Sequence, residues 1–233
     1  MKKIATILFL LVLFITLIMP IHASATMKAT INQSIHVVIN FENISSPIYN
    51  EIKQNKQLFN ATTIPLIILN NLKQQKQTRV RWRYTQEIDF DNPTNSIHVE
   101  FFLAGSDIIT FTFNKTTMSR LYEVQTEWRK FNVDLTENFS INFAEYFRTP
   151  IADWTYIKSE KAYYYEYTEL DSFTPSCKFI LPKTATNINA EEDTIFFETP
   201  PLFEDVLLNS PFLILGALLT LIITAFIYRK IRK

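Results

Sequence analysis

The densest run of chemically capable side chains lies between Arg79 and Asp91. Its odd positions read Arg79, Arg81, Arg83, Thr85, Glu87, Asp89 and Asp91, three cations and then three anions. Alternate residues of a strand share a face, so this spacing predicts a polar strand face. The three arginines form a candidate anion-binding patch; the competing reading is a solvated face with weak ion pairs. His36 and His98 are the histidines beyond the N-terminal apolar segment. His98 and Glu100 are two apart on one strand face, but no dense His/Cys/Asp/Glu cluster accompanies them, so no metal and no cofactor is expected. Two registers of the 79–91 strand against the strand from Ser96 bring apolar faces together. The one that avoids Glu87 opposite Glu100 predicts Glu87 beside His98 and Thr85 opposite Glu100. Cys177 lies in an apolar stretch with no base placed beside it, which suits a buried, inert thiol or an intermolecular disulfide better than a nucleophile. Two glycines in 233 residues exclude both the dinucleotide fingerprint and the phosphate loop. No catalytic residue is expected, and the chain is read as a non-enzyme.

A second candidate is aromatic. Trp154, Tyr156, Tyr163, Tyr164, Tyr165 and Tyr167 could stack against sugars or a protein partner, since Trp and Tyr bring contact area at small entropic cost; the competing reading is a β core rimmed by tyrosines. Five N-x-Ser/Thr sequons, at Asn32, Asn43, Asn60, Asn114 and Asn138, are candidate glycosylation sites and suit an external location. Leu181-Pro182-Lys183-Thr184-Ala185, followed by an apolar segment and a basic tail, resembles the sorting signal by which sortases anchor Gram-positive surface proteins. That pattern takes glycine, or sometimes alanine, after the threonine; the chain departs from it in the 26 residues (186–211) before the apolar segment.

Strict alternation positions these residues on strands. Ile31, Ile35, Val37, Ile39 and Phe41 alternate with polar residues, as do Val80, Trp82, Tyr84, Ile88 and Phe90, then Ile97 to Leu103, then Ile109, Phe111 and Phe113, then Tyr122, Val124 and Trp128. Val133 with Leu135 and Phe139 with Phe143 continue the pattern. Asp91-Asn92-Pro93-Thr94-Asn95 and Ala104-Gly105-Ser106-Asp107 separate runs, which predicts hairpins over about 79–103 and 97–113 in an antiparallel meander. Pro65 in a first turn, with Ile64, Ile67, Ile68 and Leu72 on one face, predicts a helix; residues 47–59 are read as a shorter one. Further strands are expected at 154–156, 163–167, 177–181 and 195–197. With so few glycines, tight turns must lean on Asn and Asp. The fold class is therefore mainly β, an antiparallel sheet or sandwich with one or two short helices. A disulfide-free core suffices, since a folded part of about 170 residues buries ~70% of its unfolded surface.

The ends set the compartment. Lys2 and Lys3, an apolar run to Ile18, and Ala23-Ser24-Ala25 read as a signal peptide, residues 1–25. The β-rich domain is expected over 26–199, a stiff stalk over 200–210, and a transmembrane helix over 211–228. That helix holds seventeen uncharged residues from Phe212 to Tyr228, and a basic tail (229–233) follows. Residues 26–210 carry 17 basic against 23 acidic groups, a net of −6, which disfavours nucleic-acid binding. The basic tail marks the cytoplasmic side. The sequence thus predicts a single-pass cell-surface protein, N-terminus outside and C-terminus cytoplasmic, whose outer domain binds a protein or glycan or serves the envelope structurally. An accessory subunit of a transport or secretion complex is the alternative, with a tethered hydrolase behind it.

Overall fold

The computed structural model describes residues 23–55, 70, 80–83, 88–136, 139–169, 173–209 and 211–231. Most of the signal peptide, Arg79, Glu87, the helix expected over 64–72 apart from Asn70, and the sequons at Asn60 and Asn138 lie outside the described residues.

The described chain is mainly β. Its strands are β1 (Ala23–Ile31), β2 (Ile35–Glu42), β3 (Val80–Arg83), β4 (Ile88–Asp91), β5 (Ser96–Gly105), β6 (Ile109–Asn114), β7 (Ser119–Gln125), β8 (Asn132–Thr136), β9 (Phe139–Asn142), β10 (Thr155–Ile157), β11 (Ala162–Glu166), β12 (Phe173–Ile180), β13 (Thr186–Glu191) and β14 (Thr194–Thr199). The helices are α1 (Ser46–Gln54), α2 (Phe143–Tyr146), α3 (Phe203–Asn209) and α4 (Pro211–Ile231). One sheet of eight strands has the order β10-β11-β12-β1-β2-β5-β3, with β4 also on β5; a second has the order β13-β14-β7-β6, and β8 with β9 forms a ribbon. In the large sheet β1 and β12 run parallel, with Met27 against Cys177, and the other pairs are antiparallel.

Alternation decides which face each strand buries. Ala25, Met27, Ala29 and Ile31 of β1, Ile35, Val37, Ile39 and Phe41 of β2, and Ile97, Val99, Phe101 and Leu103 of β5 are all buried. They share one core with Val124, Ile195 and Phe197 of the smaller sheet and with Trp128, Phe131, Phe143 and Phe147, an arrangement consistent with a β-sandwich. Each of the larger apolar side chains contributes roughly 1.5–3 kcal/mol of transfer free energy, so no disulfide is needed, and Cys177 is buried and free.

Four expectations need correction. The second hairpin does not form: at Gly105, φ 140, the chain leaves the large sheet, and β6 pairs with β7 instead of β5. A left-handed φ open to glycine turns the corner between sheets. Secondly, the partner of His98 on β4 is Asp89, with Asp91 opposite Ser96. The short loop 92–95, where Thr94 Oγ1 donates to Asp91 Oδ2 at 2.6 Å and Asn95 takes φ 48, sets that register by its length. β3 keeps the other register, Arg83 opposite Phe102. Thirdly, Ile31 closes β1, so the run read as one strand over 31–41 is the end of one hairpin arm and all but the last residue of the other. Finally, residues 200–210 contain helix α3, held against β7, in place of a bare stalk.

Asn43, Asn95 and Asn187 adopt positive φ as the scarcity of glycine demands, but so do Met118, Lys161 and Glu192. Among the described residues no helix is long and apolar enough to cross a membrane: α4 has 21 residues, and its side chains are described only at 215, 216, 218–225 and 227–229.

Candidate functional site

One face of the large sheet packs on the core; the other is partly open and carries the polar alternates. On it the registers align Ser176, Thr26, Asn40, His98 and Asp89 as one cross-strand row. The next row holds Lys178, Lys28, Val38 and Glu100, and the one beyond it Ile180, Thr30, His36 and Phe102. Two histidines thus flank one carboxylate. His36 Nε2 lies 2.6 Å from Glu100 Oε1, and His98 Nε2 lies 3.7 Å from Glu100 Oε2. His98 Nδ1 meets Asn40 Oδ1 at 2.6 Å, which orients the ring with Nδ1 as donor. The His36 ring stacks on Phe102 at 4.5 Å between centroids. All of these side chains are anchored on central strands, so the cluster is rigid.

Beside it a groove of about 460 Å³ is lined by Asn40, Glu42, Asn43, Asp89, Asp91, Thr94, Ser96, Ile97 and His98. Helix α1 closes one end: Tyr49 Oη and Lys53 Nζ donate to Asn92 Oδ1 at 3.0 and 2.7 Å, and Asn95 Nδ2 donates to Ser46 Oγ at 3.0 Å. Its three carboxylates, with amides and hydroxyls beside the apolar Ile97, suit a hydroxyl-rich or cationic ligand. No group of three or more His, Cys, Asp or Glu among the described residues is arranged to hold a metal.

The candidate arginines and the aromatic group are not brought to one site with the histidines. Arg81 and Arg83 lie on β3, opposite Ala104 and Phe102 of β5, so Arg83 is at the end of the row that holds His36. Trp154 and Tyr163 are buried: Trp154 stacks on Tyr165 at 5.3 Å and packs against Phe179, and its Nε1 donates to Thr149 O at 3.0 Å. These two therefore serve the core and offer no stacking surface. Tyr156 remains exposed, and Tyr165 and Tyr167 are half-buried. Asn32, Asn43 and Asn114 are exposed, Asn114 in a turn where its Oδ1 accepts from the Thr116 amide at 2.9 Å. Leu181–Ala185 forms the connection from β12 to β13, with Leu181 and Ala185 buried and Lys161 Nζ donating to the carbonyls of Lys183 and Ala185. Burial pushes the Cys177 thiol up to about 12, far from a reactive thiolate.

Two charged clusters escaped the sequence reading, because their members are distant along the chain. Arg129, fully buried, donates to Thr126 O, Thr126 Oγ1, Thr149 O and Asp193 Oδ1, and lies 5.0 Å from the Trp154 ring centre. Lys130 takes the other Asp193 oxygen. Burial would raise the Asp193 carboxyl, but Arg129 and Lys130 outweigh it and hold the group below the ordinary value. Arg120 pairs with Asp205 through two nitrogens, Nη2 at 2.8 Å and Nε, and stacks 4.4 Å over Phe111. The Arg120 hydrogen bond, opposed by burial, keeps Asp205 below its ordinary value. Both clusters join elements, and neither lines the groove.

No family model, curated protein or solved structure matches this chain.

Proposed function

We propose that the chain is a single-pass cell-surface protein whose β-rich outer domain binds a hydroxyl-rich or cationic partner, glycan or protein, through the open face of its large sheet. The observation that carries the membrane part is α4. Leu215, Leu218, Leu219, Leu221, Ile222, Ile223 and Ile227 are all exposed, Leu221 at 67% and Ile222 at 60%. Consecutive positions point to every side of a helix, so no single protein face could cover them all, whereas lipid does. The sequence of the helix is uncharged from Phe212 to Tyr228 and ends in Arg229 and Lys230, as a span with its basic end in the cytoplasm would. An N-terminal signal peptide and glycans at the exposed sequons belong to the same reading, but the cleavage expected after Ala25 is moved to before β1, since Ala23–Ala25 pair within the sheet and Ala25 is buried.

Membrane-impermeant lysine labelling of intact cells tests it. Lys28, Lys115, Lys158 and Lys183, all exposed, should be modified, and Lys230 and Lys233 only after lysis. The opposite pattern would sink both the topology and the surface role. A second reading, an accessory subunit of a membrane complex, is favoured by Leu202 and by Phe203, which is 79% exposed beside α4. A stoichiometric second protein copurifying in mild detergent would select it.

A further inference from the structure

An open sheet edge is a row of unpaired N–H and C=O groups that invites another strand. Among the described residues, the strands bounding the two larger sheets all carry a device against this except one. β10 has three residues. β3 and β4 have four each, and their sequences hold Arg81 and Arg83 or Asp89 and Asp91. β13 breaks its register between Thr186 and Asn189. β6 has six residues, Ile-Thr-Phe-Thr-Phe-Asn, with no charge and no proline. It pairs with β7 without interruption, from Ile109 against Val124 to Asn114 against Ser119. Phe111 is 52% exposed, its ring held at the edge under the Arg120 guanidinium. A cleft of about 570 Å³ opens beside the strand, lined in part by Ile109, Thr110, Phe111 and Tyr122.

We propose that the free edge of β6 pairs antiparallel with β6 of a second copy of this chain, about a two-fold axis through Phe111. The strand is complementary to itself in that register. Phe111 faces the second copy's Phe111, Ile109 faces Phe113, and Thr110 faces Thr112. Residues directly opposite share a face, so the apolar row meets the apolar row and threonine meets threonine. Aromatic–aromatic, aromatic–β-branched and Thr–Thr pairs are the ones that stabilise sheets. A strand without charge matches an uncharged partner, and the nearest such strand on offer is its own copy, which a two-fold axis presents twice. The product is one eight-stranded sheet shared by two chains. Nothing in this pairing depends on the membrane topology above, and the two readings fail by different measurements.

The test uses the full chain in mild detergent. Thr110→Cys and Thr112→Cys chains are prepared separately and mixed; the native Cys177 is buried and stays silent. Mild oxidation should link the mixture into a dimer and link neither variant alone to the same extent. Thr112 is exposed, so Thr112→Lys should leave thermal unfolding of the monomer unchanged. It should also raise the dimer dissociation constant on the order of tenfold or more, seen as a fall from two-chain to one-chain mass in light scattering. A one-chain mass for the unaltered protein, equal cross-linking of mixture and single variants, or a dimer that survives Thr112→Lys would each overturn the proposal. The last of these would place the contact in α4 or on another face; binding of a foreign strand to a monomer would also overturn the proposal.

Discussion

Arg129 shows what a single residue can commit. Its guanidinium is out of water, yet its two terminal nitrogens donate four hydrogen bonds to Thr126, Thr149 and Asp193, so the 3-10 turn at Glu127–Arg129 is tied to the β13–β14 connection. Taking the arginine away leaves the Asp193 carboxylate with Lys130 and the Ile151 amide, and breaking a buried pair costs about 3–5 kcal/mol. Arg129→Met should lose about that much in urea unfolding followed by tryptophan fluorescence; a loss below about 1 kcal/mol would show the cluster to be ornamental. The same pair sets an acid limb. Asp193 and Asp205 both lie below their ordinary value when folded, so the unfolded chain binds more protons as pH drops. Their contribution is complete above about pH 4 and fades as pH falls through the folded values. Asp193→Asn should lower the plateau and flatten that limb. Cys177, with its thiol pushed up to about 12 by burial, should resist maleimide at pH 7 until urea opens the sheet, and rapid labelling of the native protein would contradict its place in the core.

At the scale of elements, Asp205 ties α3 to β7. Asp205 accepts from Arg120 on β7 and from the Leu202 amide, the latter at 2.8 Å, so it both caps the helix and docks it. Asp205→Asn should leave the sheets intact and speed limited proteolysis within 202–209 several-fold, read by mass spectrometry of the fragments. Unchanged cleavage would mean that α3 is held elsewhere. Strands with long side chains on a strict two-residue period, β2, β5 and β7, were legible because burial of one face leaves that mark on sequence. β1 was not: Ala23-Ser24-Ala25 has the small residues of a cleavage site, and Ala25 and Ala29 carry too little hydrophobicity to announce a core strand. β13 is polar and mostly exposed, so it has no period to read. The His36–Glu100–His98 cluster needed the register of β2 on β5, a long-range pairing that local patterns do not contain; only the spacing of His98 and Glu100 hinted at it. Arg81 and Arg83 were correctly placed on a strand, but position on a strand says nothing about which neighbours surround a site.

For the whole molecule the decisive feature is where β1 lies. It is the first described strand, yet it sits inside the large sheet, antiparallel to β2 on one side and parallel to β12 on the other. Among the described residues, the strand order joins the β10–β12 part of that sheet to the β2–β5 part through β1. A sheet closed this way cannot be completed until residue 180 is available, and non-local parallel pairing of this kind is slow to form. It also makes the N-terminal strand a keystone: Met27, fully buried, faces the common core and pairs with Ile39 and Cys177. Met27→Asp would put an unpaired carboxylate between the two sheets, at a cost beyond about 4 kcal/mol, comparable with the whole stability of many domains. The expected result is loss of the protease-resistant core and rapid maleimide labelling of Cys177, whereas Lys28→Ala, one residue along on the open face, should behave as the parent protein does. If Met27→Asp kept a parental urea midpoint and a silent Cys177, β1 would not be a central strand. The pairing of β2 with β12 through it, and with it the rigid face that carries the histidine pair, would then need a different arrangement.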